Sequence, residues 1–396
     1  GDLWSFQVAE ALPVIPSVLV RALPGVDAPI DAVSGDPLPD YDFYIGTYEV
    51  TNEQYAQFLN SVASVDDYQL YNEKMADTDL SKGLGGIVRN GVSGDYAYSV
   101  VPELANHPVT YVSFWDAARY VNWLSTGSTE DGVYTMKPRQ GDNKFEVIER
   151  NQQSFDQGDY ALPSHAEWVK AALYRDGSDA GLYRFPNQDE LLPPDQANIL
   201  GSTFDGLSPV GLYNKPSPYG TFDQAGNAWE WLDDVGTFSS GMPGRYRKGG
   251  SFMQPATQRS MGALSPLTPK APAEQSFDWG FRVVQKRTTN LPPTWKSTSW
   301  VLDPAYASEA YSASIVDLAF DGDGDPLSFS IEQGPSWLRL TSEGLLEGNP
   351  SDADLGSHSL VLRVEDSHGA GETLATAYTI KVIPDTNAPA APSVPQ

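Results

Sequence analysis

The chain has 396 residues, enough for two or three domains with well-buried cores. Its 52 acidic and 25 basic side chains leave a formal charge of −27, which repels phosphate backbones and anionic lipid heads and argues against nucleic acid and membrane surfaces as partners. No apolar run reaches the roughly eighteen residues needed to cross a bilayer, while ten Trp, twenty Tyr and fifteen Phe supply large faces to bury.

Residues 1–40, rich in Pro and Ala, read as an extended arm entering the first domain. Asp42-Phe43-Tyr44-Ile45-Gly46 predicts a strand. Thr51 and Gln54 have capping-box spacing, and Tyr55, Phe58, Leu59 and Val62 recur at helical intervals behind them. Ser113 with Asp116 announces a second helix whose apolar set includes Phe114, Ala117, Val121 and Leu124, and Ser164 with Glu167 announces a third. Short strands between loops rich in Gly, Asn and Pro complete an irregular α+β domain over 41–286. Residues 287–296 form a linker stiffened by Pro292-Pro293.

Beyond the linker, Leu327–Ile331, Ser359–Val364 and Ala377–Val382 alternate or run apolar over strand lengths, separated by turns of Gly, Asp and Pro. This pattern predicts an all-β sandwich over 297–384. Residues 385–396 form an Ala/Pro-rich tail that reads as disordered or as a spacer. Gly1-Asp2-Leu3-Trp4 carries no basic n-region or apolar h-region, so no signal peptide is read there. The chain contains no cysteine, which fits secretion without disulfides and a reducing cytoplasm equally.

Several blocks carry a family resemblance. They are Tyr48-Glu49-Val50-Thr51-Asn52-Glu53-Gln54-Tyr55, His107-Pro108-Val109-Thr110-Tyr111-Val112-Ser113-Phe114-Trp115-Asp116-Ala117, Leu162-Pro163-Ser164 with Glu167-Trp168, Asp223-Gln224-Ala225-Gly226-Asn227-Ala228-Trp229-Glu230-Trp231, Lys248-Gly249-Gly250-Ser251-Phe252 and Trp279-Gly280-Phe281-Arg282. In this order they resemble the formylglycine-generating enzyme (sulfatase-modifying factor) family, whose fold is related to C-type lectins. The stretch with Leu70-Tyr71-Asn72 and Gly85-Gly86-Ile87 is similar to a secreted bacterial branch of it, which implies an extracellular or cell-surface address.

The family's oxidase holds copper between two cysteines just after the Gly-Gly-Ser segment. Here Gln254 and Arg259 stand at those positions, and neither an amide nor a guanidinium replaces a thiolate for Cu(I). A related branch holds iron on a histidine cluster, but this chain has only His107, His165, His358 and His368. The first two read as structural, and no triad of nitrogen ligands is available. Asp233-Asp234 reads as a surface acid pair rather than a glycosidase pair.

The resemblance also implies structural Ca²⁺. One site would use the side chains of Asp223 and Glu230 with the carbonyls of Gly226 and Ala228. A second would use Asn198 and Asp205 with the carbonyls of Ile199 and Leu207. Alternating carboxylate and carbonyl oxygens in a tight loop suit a hard cation. In the second domain, Asp321-Gly322-Asp323-Gly324-Asp325-Pro326-Leu327, with Pro335-Ser336-Trp337-Leu338 and Val364-Glu365-Asp366, resembles the cadherin-like, dystroglycan-type immunoglobulin domain of bacterial surface proteins. Asp321, Asp323 and Asp325 read there as a loop that takes Ca²⁺ or is simply solvated.

These features predict a non-catalytic, calcium-stabilised binding or adhesion module, without copper, whose ligand is a glycan or a protein at the cell surface. The alternatives are a structural subunit that self-associates into a layer or filament and, remotely, a formylglycine-type oxidase. Tyr213, Tyr219, Phe238 and Tyr246 are candidate sugar-stacking residues or core residues. Arg245, Arg247 and Lys248 are candidate basic spots for self-association. The acidic surface favours neutral or cationic partners over sulfated polymers.

Overall fold

The computed structural model describes residues 12–22, 37–136, 149–175, 181–256, 261, 267–288, 292–296, 302–321, 325–366, 371–373 and 378–384. The chain divides into two compact units, Gly1–Thr288 and Thr289–Gln396.

In the first unit a four-stranded antiparallel sheet joins distant parts of the sequence. Its strands are β1 (Ser17–Val20), β2 (Phe43–Gly46), β5 (Tyr160–Ala161) and β11 (Val284–Lys286), in the order β1-β2-β11-β5. Part of the predicted N-terminal arm is therefore a sheet strand: Ser17, Val18, Leu19 and Val20 lie opposite Gly46, Ile45, Tyr44 and Phe43. Hairpins β3 (Ile87–Asn90) with β4 (Ala97–Val100) and β6 (Tyr174–Arg175) with β7 (Gly181–Leu182) stand apart from that sheet. A second sheet runs β10 (Trp279–Gly280), β8 (Trp229–Thr237), β9 (Pro243–Lys248), with β10 parallel to β8.

Among the described residues, helices α1 (Asn52–Val62), α2 (Phe114–Thr126), α3 (Gln152–Asp156) and α4 (His165–Leu173) pack against these strands. The three predicted capping boxes form at α1, α2 and α4, through Thr51/Gln54, Ser113/Asp116 and Ser164/Glu167. Each satisfies two orphan N–H groups and contributes about 1 kcal/mol to its helix. Tyr55, Phe58 and Leu59 of α1 are buried, and Val62 packs at the core's edge. Helix α2 is buried on nearly every side, from Phe114 through Leu124, which is why its sequence shows no clean polar face. It stops at Gly127, whose φ of 75° suits a residue without a Cβ.

Aromatic rings knit the helices together. Tyr120 lies 5.4 Å from Phe58, 5.9 Å from Tyr55 and 5.3 Å from Phe281, centroid to centroid. Phe281 belongs to the Trp-Gly-Phe-Arg segment, so that motif closes the core built by the first two helices. Each such ring, fully buried, stabilises the unit by about 2–3 kcal/mol.

The second unit is strand-rich. One sheet carries β13 (Ala305–Tyr306), β16 (Leu327–Gln333), β19 (Gly356–Asp366), β20 (Gly371–Thr373) and β21 (Tyr378–Ile383); a second has β14 (Tyr311–Ser314), β17 (Leu338–Leu340) and β18 (Leu345–Gly348). Tyr311, Leu338 and Leu346 from the second sheet share one core with Phe329, Leu360, Leu362, Val364, Ile380 and Val382 from the first. A further pair, β12 (Thr294–Trp295) and β15 (Ala319–Phe320), takes up residues assigned to the linker by sequence. The linker is shorter at its other end too, since Arg287 pairs with Asp42 of the first unit at 3.0 Å.

Candidate functional site

The segment before β8 is a loop in which Asp223, Gly226 and Asn227 have φ values of 61°, 90° and 55°. Gly226 is required there, because a Cβ would stand 2.2 Å from the Asn198 carbonyl oxygen. Asp223 Oδ2 accepts from Gly211 N at 2.6 Å. Glu230, fully buried in β8, receives the Arg282 guanidinium bidentately at 2.6 and 2.7 Å and the Trp168 indole N–H at 2.7 Å. Arg282 also donates to the carbonyls of Gly46 and Phe222 at 2.8 and 2.9 Å.

Sequence reasoning missed the third acid. Glu49 is 1% exposed and accepts from Ala228 N at 3.3 Å and from Asn227 Nδ2 at 3.4 Å. Burial raises its pKa well above the usual range, and the Asp223 and Glu230 carboxylates add to the rise against Arg282. Burial likewise pushes Asp223 up to about 6, Glu230 adding to the rise while Gly211 N–H and Arg282 lower it. Three carboxylates therefore share one guanidinium in a water-poor setting. These are the first unit's candidate oxygens for a hard cation, which would relieve the excess negative charge and draw on the carbonyl oxygens of Gly226 and Ala228, with both Glu230 oxygens engaged by Arg282.

The second predicted set abuts the first. Asn198 Nδ2 donates to Gly206 O, Ser208 Oγ and Asn227 Oδ1 at 2.8, 3.2 and 3.0 Å, and Asn198 O accepts from Asn227 N at 2.8 Å. Ser202 engages both Asn198 Oδ1, through its hydroxyl at 2.9 Å, and Ile199 O, through its N–H at 2.9 Å. Leu207 is buried against Lys82 and Gly83, whereas Asp205 is exposed. Asn198 and Asn227 thus bind the two loops into one polar core.

After Gly249-Gly250, Ser251 donates to Asp278 Oδ2 at 2.8 Å and Gln254 N donates to Ser251 O at 2.9 Å. The Gln254 amide oxygen is buried without a hydrogen-bond partner. Arg259 lies outside the described residues. With no thiol in the chain, the residues present do not fit copper.

Asp233-Asp234 does not behave as a surface pair. Asp233 accepts from the Tyr134 hydroxyl at 2.7 Å and pairs with Arg245 and Arg150, and Asp234 accepts from His165 N at 2.6 Å. His165 is fully buried in the first turn of α4, and burial lowers the pKa of His107.

The expectation for the basic residues is corrected here. Arg245 and Lys248 are buried and cannot serve as surface basic spots; of the three bases named for self-association, Arg247 alone is partly exposed. Tyr219 and Tyr246 pack against the core, while Tyr213 and Phe238 are half-buried.

In the second unit Asp321 and Asp325 converge, and Asp366 at the end of β19 joins them. Their ligand oxygens all lie within 4.8 Å of one another. Asp321 Oδ1 accepts from Asp325 N at 2.9 Å. Asp323 lies outside the described residues. In the first unit, Glu49, Asp223 and Glu230 are not drawn together this tightly.

The first unit is a mixed α+β domain whose buried acids and Trp-Glu-Trp strand are locked by a C-terminal arginine. Residues 37–287 match the sulfatase-modifying factor enzyme 1-like domain, and the chain belongs to that family. Its relatives include the serine/threonine-protein kinase pkn1 of Chlamydia pneumoniae, 26% identical over 196 residues that cover 49% of this chain and 23% of that protein. The chain thus spans only about a quarter of the kinase's length. The formylglycine-generating enzyme of Thermomonospora curvata is 27% identical over 219 residues, 48% of this chain and 59% of that protein. The crystal structure of CarF is 26% identical, covering 70% of this chain and all of that one, with a TM-score of 0.46. The family also includes the inactive C-alpha-formylglycine-generating enzyme 2 of Mus musculus, 24% identical over 286 residues, 66% of this chain and 82% of that one.

Proposed function

We propose that this chain is a non-catalytic, calcium-stabilised binding module that uses the family's scaffold outside the cell, with a glycan or a protein as its ligand. The observation that carries this reading is the residue set after Gly249-Gly250-Ser251. Gln254 occupies a position where the catalytic branch has a thiol, and no cysteine elsewhere in the chain can take over that role. The excess of buried carboxylates around Arg282 supports the calcium part. The acid triplet of the strand-rich second unit, which we read as an immunoglobulin- or cadherin-like module, supports it further.

Calcium acts here as a structural ligand. It offsets repulsion among Glu49, Asp223 and Glu230 and holds the Gly226–Ala228 turn against Asn198. At a hundred times its dissociation constant it adds about 2.7 kcal/mol to stability. Thermal melts in EDTA and in millimolar Ca²⁺ test this, and superimposable curves would remove calcium from the reading. Incubation with a cysteine-containing sulfatase peptide should yield no aldehyde above buffer. Aldehyde formation at any higher rate would overturn the non-catalytic assignment. A glycan array and light scattering, each with Ca²⁺ and with EDTA, separate ligand binding from self-association.

A further inference from the structure

Beside Trp279 the first unit carries positive charge that, among the described residues, forms no ion pair. From the core outward run Phe114, Trp231 and Trp279, with ring centroids 6.3 and 5.4 Å apart, and the Arg247 guanidinium carbon caps the column 3.6 Å from the Trp279 centroid. Trp229, half-buried, flanks the same guanidinium at 4.8 Å, and Lys270 Nζ sits 5.7 Å from the Trp279 centroid.

Arg89, Arg119, Arg150, Arg245, Arg282 and Arg287 each pair with a carboxylate. Arg247 and Lys270 do not, among the described residues, although the chain has twice as many acids as bases. Arg247 Nε and Nη1 are buried without a hydrogen-bond partner. The acids that influence Arg247 are Asp278 and Glu274. Asp278 spends its oxygens on the hydroxyls of Ser251 and Ser276, at 2.8 and 2.7 Å, and Glu274 accepts from Ala271 N at 3.2 Å. Burial lowers the Arg247 pKa to about 10, which leaves it charged at neutral pH.

We propose that Arg247 and Lys270, held on Trp279 beside the partly exposed face of Trp229, bind the carboxylate of an acidic sugar. A stacked guanidinium has its position fixed by the indole, and with Nε and Nη1 buried its Nη2 is the group left to donate to an incoming oxyanion. The Trp229 face supplies the flat apolar surface on which a pyranose ring stacks. The chain's overall negative field disfavours long polyanions, while the local cations answer the charge of a short acidic oligosaccharide. This deepens the binding-module reading and rests on it.

The test is tryptophan-fluorescence titration of the full chain in calcium buffer with trigalacturonate, and with the neutral galactose trimer as reference. Saturable quenching by the acidic trimer, about tenfold tighter than by the neutral one, is expected from the added charge-assisted hydrogen bond. Arg247→Gln should remove most of the acidic preference, and Lys270→Gln should weaken only the acidic trimer, severalfold. Should Arg247→Gln fail to fold, Lys270→Gln and loss of the acidic preference in high salt decide the question. Equal binding of both trimers, no quenching by the acidic one, or an unaltered preference in Lys270→Gln and in high salt would overturn the proposal. Array binding confined to neutral glycans would overturn it while leaving the module reading intact, whereas aldehyde formation would strike that reading alone.

Discussion

Replacing Asp223 with Asn separates the cost of a buried acid from its use as a calcium ligand. Burial and Glu230 hold the Asp223 carboxyl at about 6, above its ordinary 3.8, despite the lowering by Gly211 N–H and Arg282. A raised folded-state pKa means the folded chain binds the proton more tightly than the unfolded chain. The stability conferred by that proton is complete below about pH 4, is lost as pH rises to about 6, and stays lost above. Roughly two pH units at about 1.4 kcal/mol each give about 3 kcal/mol. Asn keeps an amide oxygen to accept Gly211 N–H and tolerates the φ of 61°. In EDTA at pH 7 the variant should therefore be more stable by up to about 3 kcal/mol. That corresponds to a rise of roughly 6–12 °C in the melting of the first unit, and its stability should vary less between pH 4 and 6. In millimolar Ca²⁺ that advantage should shrink towards zero, because a ligand oxygen of the cation has been lost and the parent alone gains the roughly 2.7 kcal/mol of binding. Calorimetry in both buffers reads the difference. An Asn variant that melts below the parent in EDTA, or gains as much from Ca²⁺, would refute the reasoning.

Arg282→Met should cost about 3–5 kcal/mol in urea denaturation, since Glu230 would remain buried without its counter-charge; a loss below about 1 kcal/mol would contradict the geometry. Gly226→Ala should lose at least about 2 kcal/mol through its left-handed φ and the Asn198 carbonyl, and circular-dichroism melts check it. Ser164→Ala should lose about 1 kcal/mol by removing the cap of α4, measured the same way. Limited proteolysis should cut first between residues 286 and 297 and release two fragments that each melt cooperatively; first cleavage within 120–280 would move the boundary.

The three capping boxes were legible in the sequence because their partners lie three residues apart, within reach of any local reading. The Asp223–Glu230 loop was singled out by the family resemblance rather than by spacing. Glu49 was not: it meets Ala228 across 179 residues of chain, and beside Tyr48 and Val50 nothing local marks it as a buried acid. Asp366 ends a recognisable strand, but only the pairing of β16 with β19 sets it against Asp325. Arg245 and Lys248 looked like surface bases because charge normally signals exposure. Here Arg245 lies over the Phe114 ring and Lys248 over Trp168, so aromatic faces and a buried acid replace water around them. Asp205 remains exposed with Thr203 and Phe204, whereas Gly206, Leu207 and Ser208 after it are buried, a difference set by how the loop meets Lys82 and Gly83.

The pairing of β11 with β2 has a consequence for how the chain is made. Arg282 reaches Gly46 across 236 residues, so the ribosome must deliver almost the whole first unit before its central sheet can close. Until then the early strand edge and the aromatic faces of α1 and α2 stand open to chance encounters. Contacts this distant in sequence make folding slow and favour chaperone engagement during synthesis. A stall anywhere before Trp279 leaves a chain holding most of its apolar mass and none of its closure. Such a product is degraded or aggregates rather than accumulating as a half-domain.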